Sequence, residues 1–260
     1  MIKKISIVLV CLLITAVAGK VIWDHSLSAD KQEDNASVWE YVTEDGEIKL
    51  TKYNGKNSAP SIPDELDGVA ITALGDGLFS GNSRIREVRI PESIKVLGEG
   101  LFENCTELSL VSLPDGITAI PARAFSGCTG LKVIQLPYGL RTIGTSAFSG
   151  CTALAYLVIP DSVTSIGGEA FANCTALSDL TISKNLTSVG GHAFRGTAWL
   201  SARTDEFVII GNRILIKYNG IAEVIDVPAG VTQITDAFED NLFPMEINLP
   251  DSVISIGPNA

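Results

Sequence analysis

Apolar residues recur along most of this chain with a step of 23 residues. Phe79, Phe102, Phe125, Phe148, Phe171 and Phe194 keep that step without a slip, and Cys105, Cys128, Cys151 and Cys174 follow three positions behind. Pro91, Pro114, Pro137 and Pro160 share it, with Ser183 in the fifth slot. In the unit that opens at Phe148, the apolar positions are Leu154, Leu157, Ile159, Val163, Ile166 and Ala170. They reappear as Leu131, Ile134, Leu136, Leu140, Ile143 and Ala147 one unit earlier, and as Leu177, Leu180, Ile182, Leu186, Val189 and Ala193 one unit later. A constant apolar set at constant spacing marks a repeat architecture, in which each unit offers the same face inward.

The alternation of Leu157 and Ile159 about Val158 predicts a short strand with Val158 pointing out. Pro160-Asp161 ends that strand, and Gly167-Gly168 turns a sharp corner. A strand, two corners and a compact Ala-Phe segment describe one coil of a solenoid. Such a coil does not stand alone, because the apolar area it buries falls short of the chain entropy it gives up. Stacking supplies the difference, so the coils are expected to form one continuous array.

Two further segments alternate with period two. Trp39 to Tyr53 does so around Asp45-Gly46 and ends in Lys-Tyr-Asn-Gly; Phe207 to Tyr218 does so around Gly211-Asn212 and ends in the same tetrapeptide at 217–220. Both read as hairpins with tight turns. The resulting division is a leader at 1–18, a polar tether at 19–36, a hairpin capping module at 37–61, the array at 62–200, a second hairpin module at 201–227, and further repeats at 228–260. Those last repeats pass through Val231, Ile234, Ala237 and Phe238. The array fails just before the second hairpin, where Thr197 takes the Cys slot and Trp199 is expected to cap the apolar end. Asp251 to Ala260 aligns with Asp161 to Ala170, which reads either as a truncated array or as an end whose last half-turn is its own lid.

The run I-P, S-V-T-S-I-G, A-F and N-C-T-x-L resembles the BspA-type leucine-rich repeats of bacterial surface proteins, over about Ile62 to Ala260. The resemblance implies a leucine-rich-repeat solenoid, mainly β, with short parallel strands in 23-residue coils and hairpin modules at its start and as an interruption. It also implies adhesion to host matrix proteins or to other cells, with no particular ligand.

The leader sharpens the setting. Lys3 and Lys4 precede an apolar run from Ile5 to Ala18, and Ala16-Val17-Ala18 supplies a signal-peptidase site, so export with cleavage before Gly19 is expected. The alternative is an uncleaved anchor, the only route by which a membrane becomes a partner; Lys20 interrupts it. Cys11 lies inside the run, follows Val10 and does not fit a lipoprotein site. Cleavage removes two of the 19 basic residues and none of the 30 acidic ones, taking the formal charge from -11 to -13. A strongly acidic chain with scattered cations lacks the footprint for a phosphate backbone, which argues against nucleic acid.

Chemistry is sparse. The four repeat cysteines point the same way on successive coils, which favours a buried thiol ladder over disulfides. A 23-residue step also spreads them along an axis, and there is no C-x-x-C pair to hold zinc. His25 falls in the tether and His192 at a variable position read as exposed surface, so no histidine relay is expected. Asp115, Asp161 and Asp251 follow prolines in turns, where Asp suits local backbone hydrogen bonding. The Asn-x-Ser/Thr triplets at Asn104, Asn173 and Asn185 follow from the repeat consensus. No enzyme, cofactor, metal or small-molecule substrate is expected.

Positions that the repeat leaves free are then the candidates for contact with a partner. Glu87 and Arg89, Leu110 and Ser112, Val133 and Gln135, Tyr156 and Val158, and Asp179 and Thr181 flank the inward strand residues and are expected to form adjacent rows on one sheet face. Leu110, Val133, Tyr156 and Val158, with Tyr138 beside them, would make an apolar stripe suited to an extracellular protein or cell-surface ligand. Strand propensity alone also selects Val and Tyr. The rival roles are a spacer and the accessory repeats of a larger surface protein or enzyme.

Overall fold

The computed structural model describes residues 36–239, 246–257 and 260; the leader and most of the tether lie outside them. Within the described residues the chain winds as a mainly-β solenoid, and no helix is long and apolar enough to cross a membrane. Each coil contributes two short strands. One set, Ala119–Ile120, Thr142–Ile143, Ser165–Ile166 and Ser188–Val189, forms a parallel ladder in which every residue pairs with its equivalent 23 positions on. The other set makes two parallel sheets, Glu87–Arg89 with Leu110–Ser112 and Val133–Ile134, then Tyr156–Val158 with Asp179–Thr181.

The phenylalanines line up in a single file down the middle. Neighbouring rings from Phe79 to Phe194 lie 5.1, 5.4, 5.1, 5.3 and 5.7 Å apart, all within 16° of parallel. Backbone hydrogen bonds hold the spacing, for example Phe125 N–H to the Ala147 carbonyl and Phe148 N–H to the Ala170 carbonyl. Aromatic residues close both ends of the file. Trp39 and Tyr53 pack on Phe79, and Trp199 packs on Phe194 at 5.3 Å.

Each coil passes twice through left-handed backbone. One slot holds Gly81, Asn104, Gly127, Gly150, Asn173 and Gly196; the other, four residues earlier, holds Gly77, Gly100, Arg123, Ser146, Glu169 and His192. Asn104 and Asn173 suit that conformation because a short polar side chain tolerates it. The asparagines of two of the three sequons therefore serve the turn.

Both hairpins form, Trp39–Glu44 with Glu47–Tyr53 and Phe207–Ile210 with Ile214–Tyr218. Thr197 starts a one-turn helix, Ala198–Ser201, by accepting the Leu200 N–H on its hydroxyl at 3.1 Å while donating to the Phe194 carbonyl at 2.7 Å. The loss of cysteine at that slot thus ends the coil geometry and opens the route to the second hairpin. Beyond it Ile214–Tyr218, Gln233–Ile234 and Ser255–Ile256 make a new ladder, with Val224–Asp226 on Glu246–Asn248. The step there is 22 residues, from Val224 to Glu246 and from Gln233 to Ser255. These strands enclose a second core of Leu215, Tyr218, Ile225, Val227, Val231, Ile234, Ala237 and Phe238.

Candidate functional site

The outward residues of the two parallel sheets sit where alternation places them. Val88, Val111, Ile134, Leu157 and Leu180 are buried, and their neighbours point away from the core. Glu87 pairs with Leu110 and Leu110 with Val133; Arg89 pairs with Ser112; Tyr156 pairs with Asp179 and Val158 with Thr181. Tyr138 is 68% exposed, Tyr156 53%, Val158 41% and Val133 38%. Arg89, Asp179 and Thr181 are also exposed.

Three details differ from expectation. The rows are not one ladder, since the sheet lapses between Val133–Ile134 and Tyr156–Val158. There the strand shortens to two residues and leaves Gln135 outside it. Glu87, Leu110, Ser112 and Gln135 are half-buried, so Leu110 contributes an edge and not a full face to the apolar stripe. The exposed apolar residues of the two sheets are therefore Val133, Tyr156 and Val158, with polar Asp179 and Thr181 at one end and Glu87 and Arg89 at the other, while Tyr138 is exposed in the turn that follows Val133–Ile134.

Of the acids that follow prolines, Asp161 and Glu92 reach beyond their own turn. Asp161 accepts the Lys184 N–H at 3.1 Å, and Glu92 accepts the Asp115 N–H at 3.2 Å, each across one full coil. In a stacked array the nearest free donor belongs to the next coil, so these carboxylates link neighbours. In the same column Ser183, which replaces the proline, is buried and donates to the Val163 carbonyl at 2.7 Å.

The thiols form the expected ladder, all four buried and unbridged. Each donates to a phenylalanine carbonyl of the preceding coil at 3.0 to 3.1 Å, for example Cys128 to Phe102 and Cys151 to Phe125. Burial pushes the Cys105 thiol up to about 11. Burial also raises Cys128. Hydrogen bonding to Cys174 and then burial raise Cys151. Raised in this way, Cys105, Cys128 and Cys151 are held as neutral thiols within the core.

Trp199 is buried, with Phe194 beside one part of its ring and the Arg203 guanidinium 4.6 Å from the ring centroid. It caps the file, and it also lines a cleft together with Leu180, Lys184, Arg203, Asp205 and Phe207.

His192 overturns its reading as a free surface residue. Its side chain is only 19% exposed because the second module folds over it. Its backbone N–H donates to Asp236 Oδ2 at 3.0 Å, and its Nε2 lies 2.5 Å from Glu239 Oε2. Arg195 reaches the other oxygen of Glu239 at 3.5 Å. Close by, the Gln233 amide takes the Val189 N–H at 3.2 Å and donates to the Val189 carbonyl at 2.7 Å. These partners stand 44 to 47 residues apart, outside the 23-residue step, so no spacing in the sequence announces them. The one signal was His192 itself, a histidine in a left-handed slot that two other coils fill with glycine.

The comparisons with known proteins agree with this architecture. The family model for the BspA type leucine-rich repeat region matches 61–176, 98–215 and 142–260, in six copies. No curated protein matches the chain. Among solved structures, the chain is similar to the T. pallidum leucine-rich repeat protein, with 26% identity and a TM-score of 0.56 over 87% of this chain and 86% of that one. It is similar to a leucine-rich cell surface protein of Faecalibacterium prausnitzii A2-165, with 25% identity and a TM-score of 0.56 over 88% and 73% of the two chains. It shares its fold with the pneumococcal vaccine antigen PcpA, at 22% identity and a TM-score of 0.57 over 86% and 77%. The repeat pattern, the stacked phenylalanine file and the family match together place this chain in the BspA-type leucine-rich repeat family.

Proposed function

We propose that this chain is an exported, non-catalytic binding module that recognises extracellular proteins or cell surfaces through the outward sheet face carrying Val133, Tyr156 and Val158, together with Tyr138 in the adjoining turn. The observation behind this reading is the exposure of four large apolar side chains at positions the core does not use. Exposed apolar groups with polar ends are what a protein partner buries. Arg89, Asp179 and Thr181 would form the rim. The leader at 1–18 and the likeness to a cell surface protein support an extracellular setting.

The test is binding to a panel of purified extracellular matrix proteins and to intact neighbouring cells. Wild type is compared with a variant carrying Tyr156→Asp and Val158→Asp. Both positions are exposed, so the fold should survive, as circular dichroism would verify. The variant should lose at least about tenfold in affinity, the effect of one or two central anchors. Equal binding by the two proteins would remove this face from consideration.

A further inference from the structure

We propose that His192, Asp236 and Glu239 form a site for a divalent transition metal of the zinc class, which ties the last coil of the first array to the second module. One ligand atom from each of the three lies within 4.8 Å of the others. His192 Nε2 is 2.5 Å from Glu239 Oε2 and 3.9 Å from Asp236 Oδ2. A tetrahedral ion with bonds of about 2.0 to 2.2 Å holds its ligands roughly 3.3 to 3.6 Å apart. The observed spacings bracket that range, so small side-chain adjustments seat the ion. One imidazole and two carboxylates are a borderline N/O set; calcium and magnesium favour all-oxygen shells, whereas zinc and its neighbours accept histidine. Water completes the fourth position.

The surroundings fit a bound cation. Side-chain exposures of 19%, 16% and 31% leave the three groups partly shielded yet reachable. Two carboxylates and one imidazole carry a surplus of negative charge that Arg195, 59% exposed and 3.5 Å from Glu239 Oε1, only partly offsets. The His192 N–H to Asp236 Oδ2 bond fixes that carboxylate before any ion arrives, as outer-shell bonds do in metal centres. Arg195 lies 3.4 Å from His192 Nε2 as well; its charge opposes the ion, and it must turn toward solvent on binding. The histidine belongs to the first array and both acids to the second module, so an ion here stabilises their contact by mass action.

The full chain, stripped with a chelator, is titrated with Zn2+ by calorimetry and with Co2+ by visible absorption. One-to-one binding, cobalt ligand-field bands of a four-coordinate site and a zinc-dependent rise in thermal midpoint are expected. His192→Asn should weaken binding at least about tenfold and abolish the bands. Asparagine tolerates the left-handed backbone there, as at Asn104 and Asn173, so the metal-free variant should fold, with a midpoint lowered only by loss of the His192–Glu239 contact, and zinc should no longer raise it. Glu239→Gln should also weaken binding, and Arg195→Ala should tighten it by removing the competing charge. Absence of saturable one-to-one binding in wild type would overturn the proposal. So would zinc and cobalt signals that His192→Asn and Glu239→Gln leave unchanged, since the ions would then be on the acidic surface at large.

Discussion

The hairpin Trp39–Tyr53 and the hairpin Phe207–Tyr218 end in the same Lys-Tyr-Asn-Gly and bulge at the same pair, Glu40/Tyr41 and Val208/Ile209. In the first, Trp39, Ile48, Leu50 and Tyr53 face the array core, while Glu40, Val42 and Thr51 on the opposite face are exposed and Lys49 is half-buried. In the second, Phe207, Ile209, Leu215 and Tyr218 face the following core, and Val208, Ile210, Ile214 and Ile216 pack into the preceding one. Counting back from the shared tetrapeptide, Ile214 stands where the first copy has Lys49, and Ile216 where it has Thr51. One module thus opens an array or joins two, and the polarity of a single face decides which.

The strongest way to break that comparison is Ile214→Lys, which gives the second hairpin the residue of the first. Ile214 is fully buried, so an unpaired ammonium there should cost about 4 kcal/mol. Because the lesion lies between two cores, its effect should be local. Amide exchange should show protection lost over 207–239 and 246–257 and kept from Phe102 to Leu180. Uniform loss along the whole chain would mean that the two cores unfold as one and that the junction has no separate identity.

Gln233→Ala tests the polar part of the same junction with a smaller expected effect. The Gln233 side chain closes the open edge of strand Ser188–Val189 by pairing with both backbone groups of Val189. Its removal leaves a part-buried donor and acceptor unmatched, a loss of about 1 to 2 kcal/mol, readable by denaturant titration. A solenoid end needs such closure, because an unpaired edge invites another strand. If stability is unchanged, water replaces the amide and the edge is closed by packing alone.

These residues also mark what the sequence can and cannot convey. The array was legible because its inward positions repeat: a coil that buries Phe125 and Leu131 places Phe148 and Leu154 identically, and the same holds for the thiols and outward Tyr156. The sheet face was legible for the complementary reason, since free positions vary where core positions do not. The lapse between Val133–Ile134 and Tyr156–Val158 was not, because both units carry the same apolar pattern. The junction was hidden as well. His192, Gln233, Asp236 and Glu239 are ordinary surface types in sequence, and only the turn made by Thr197 and the helix Ala198–Ser201 brings them together. Their pairing depends on tertiary placement, and periodicity carries no record of it.

The mildest test runs the exchange the other way, with Lys49→Ile and Thr51→Ile giving the first hairpin the outer face of the second. Thr51 is exposed and Lys49 half-buried, and both lie on a strand that β-branched residues favour, so folding stability should move by less than about 0.5 kcal/mol. The consequence should appear in association. Beside Val42, already 42% exposed, two isoleucines build an apolar face like the one that receives an array in the second copy, and here no coil among the described residues covers it. Sedimentation equilibrium should therefore show concentration-dependent self-association beyond that of wild type. If the variant associates no more than wild type, the apolar face is not sufficient for docking. The junction would then owe its specificity to Gln233, Asp236 and Glu239, and the isoleucines of the second hairpin would fill space that those polar contacts had already defined.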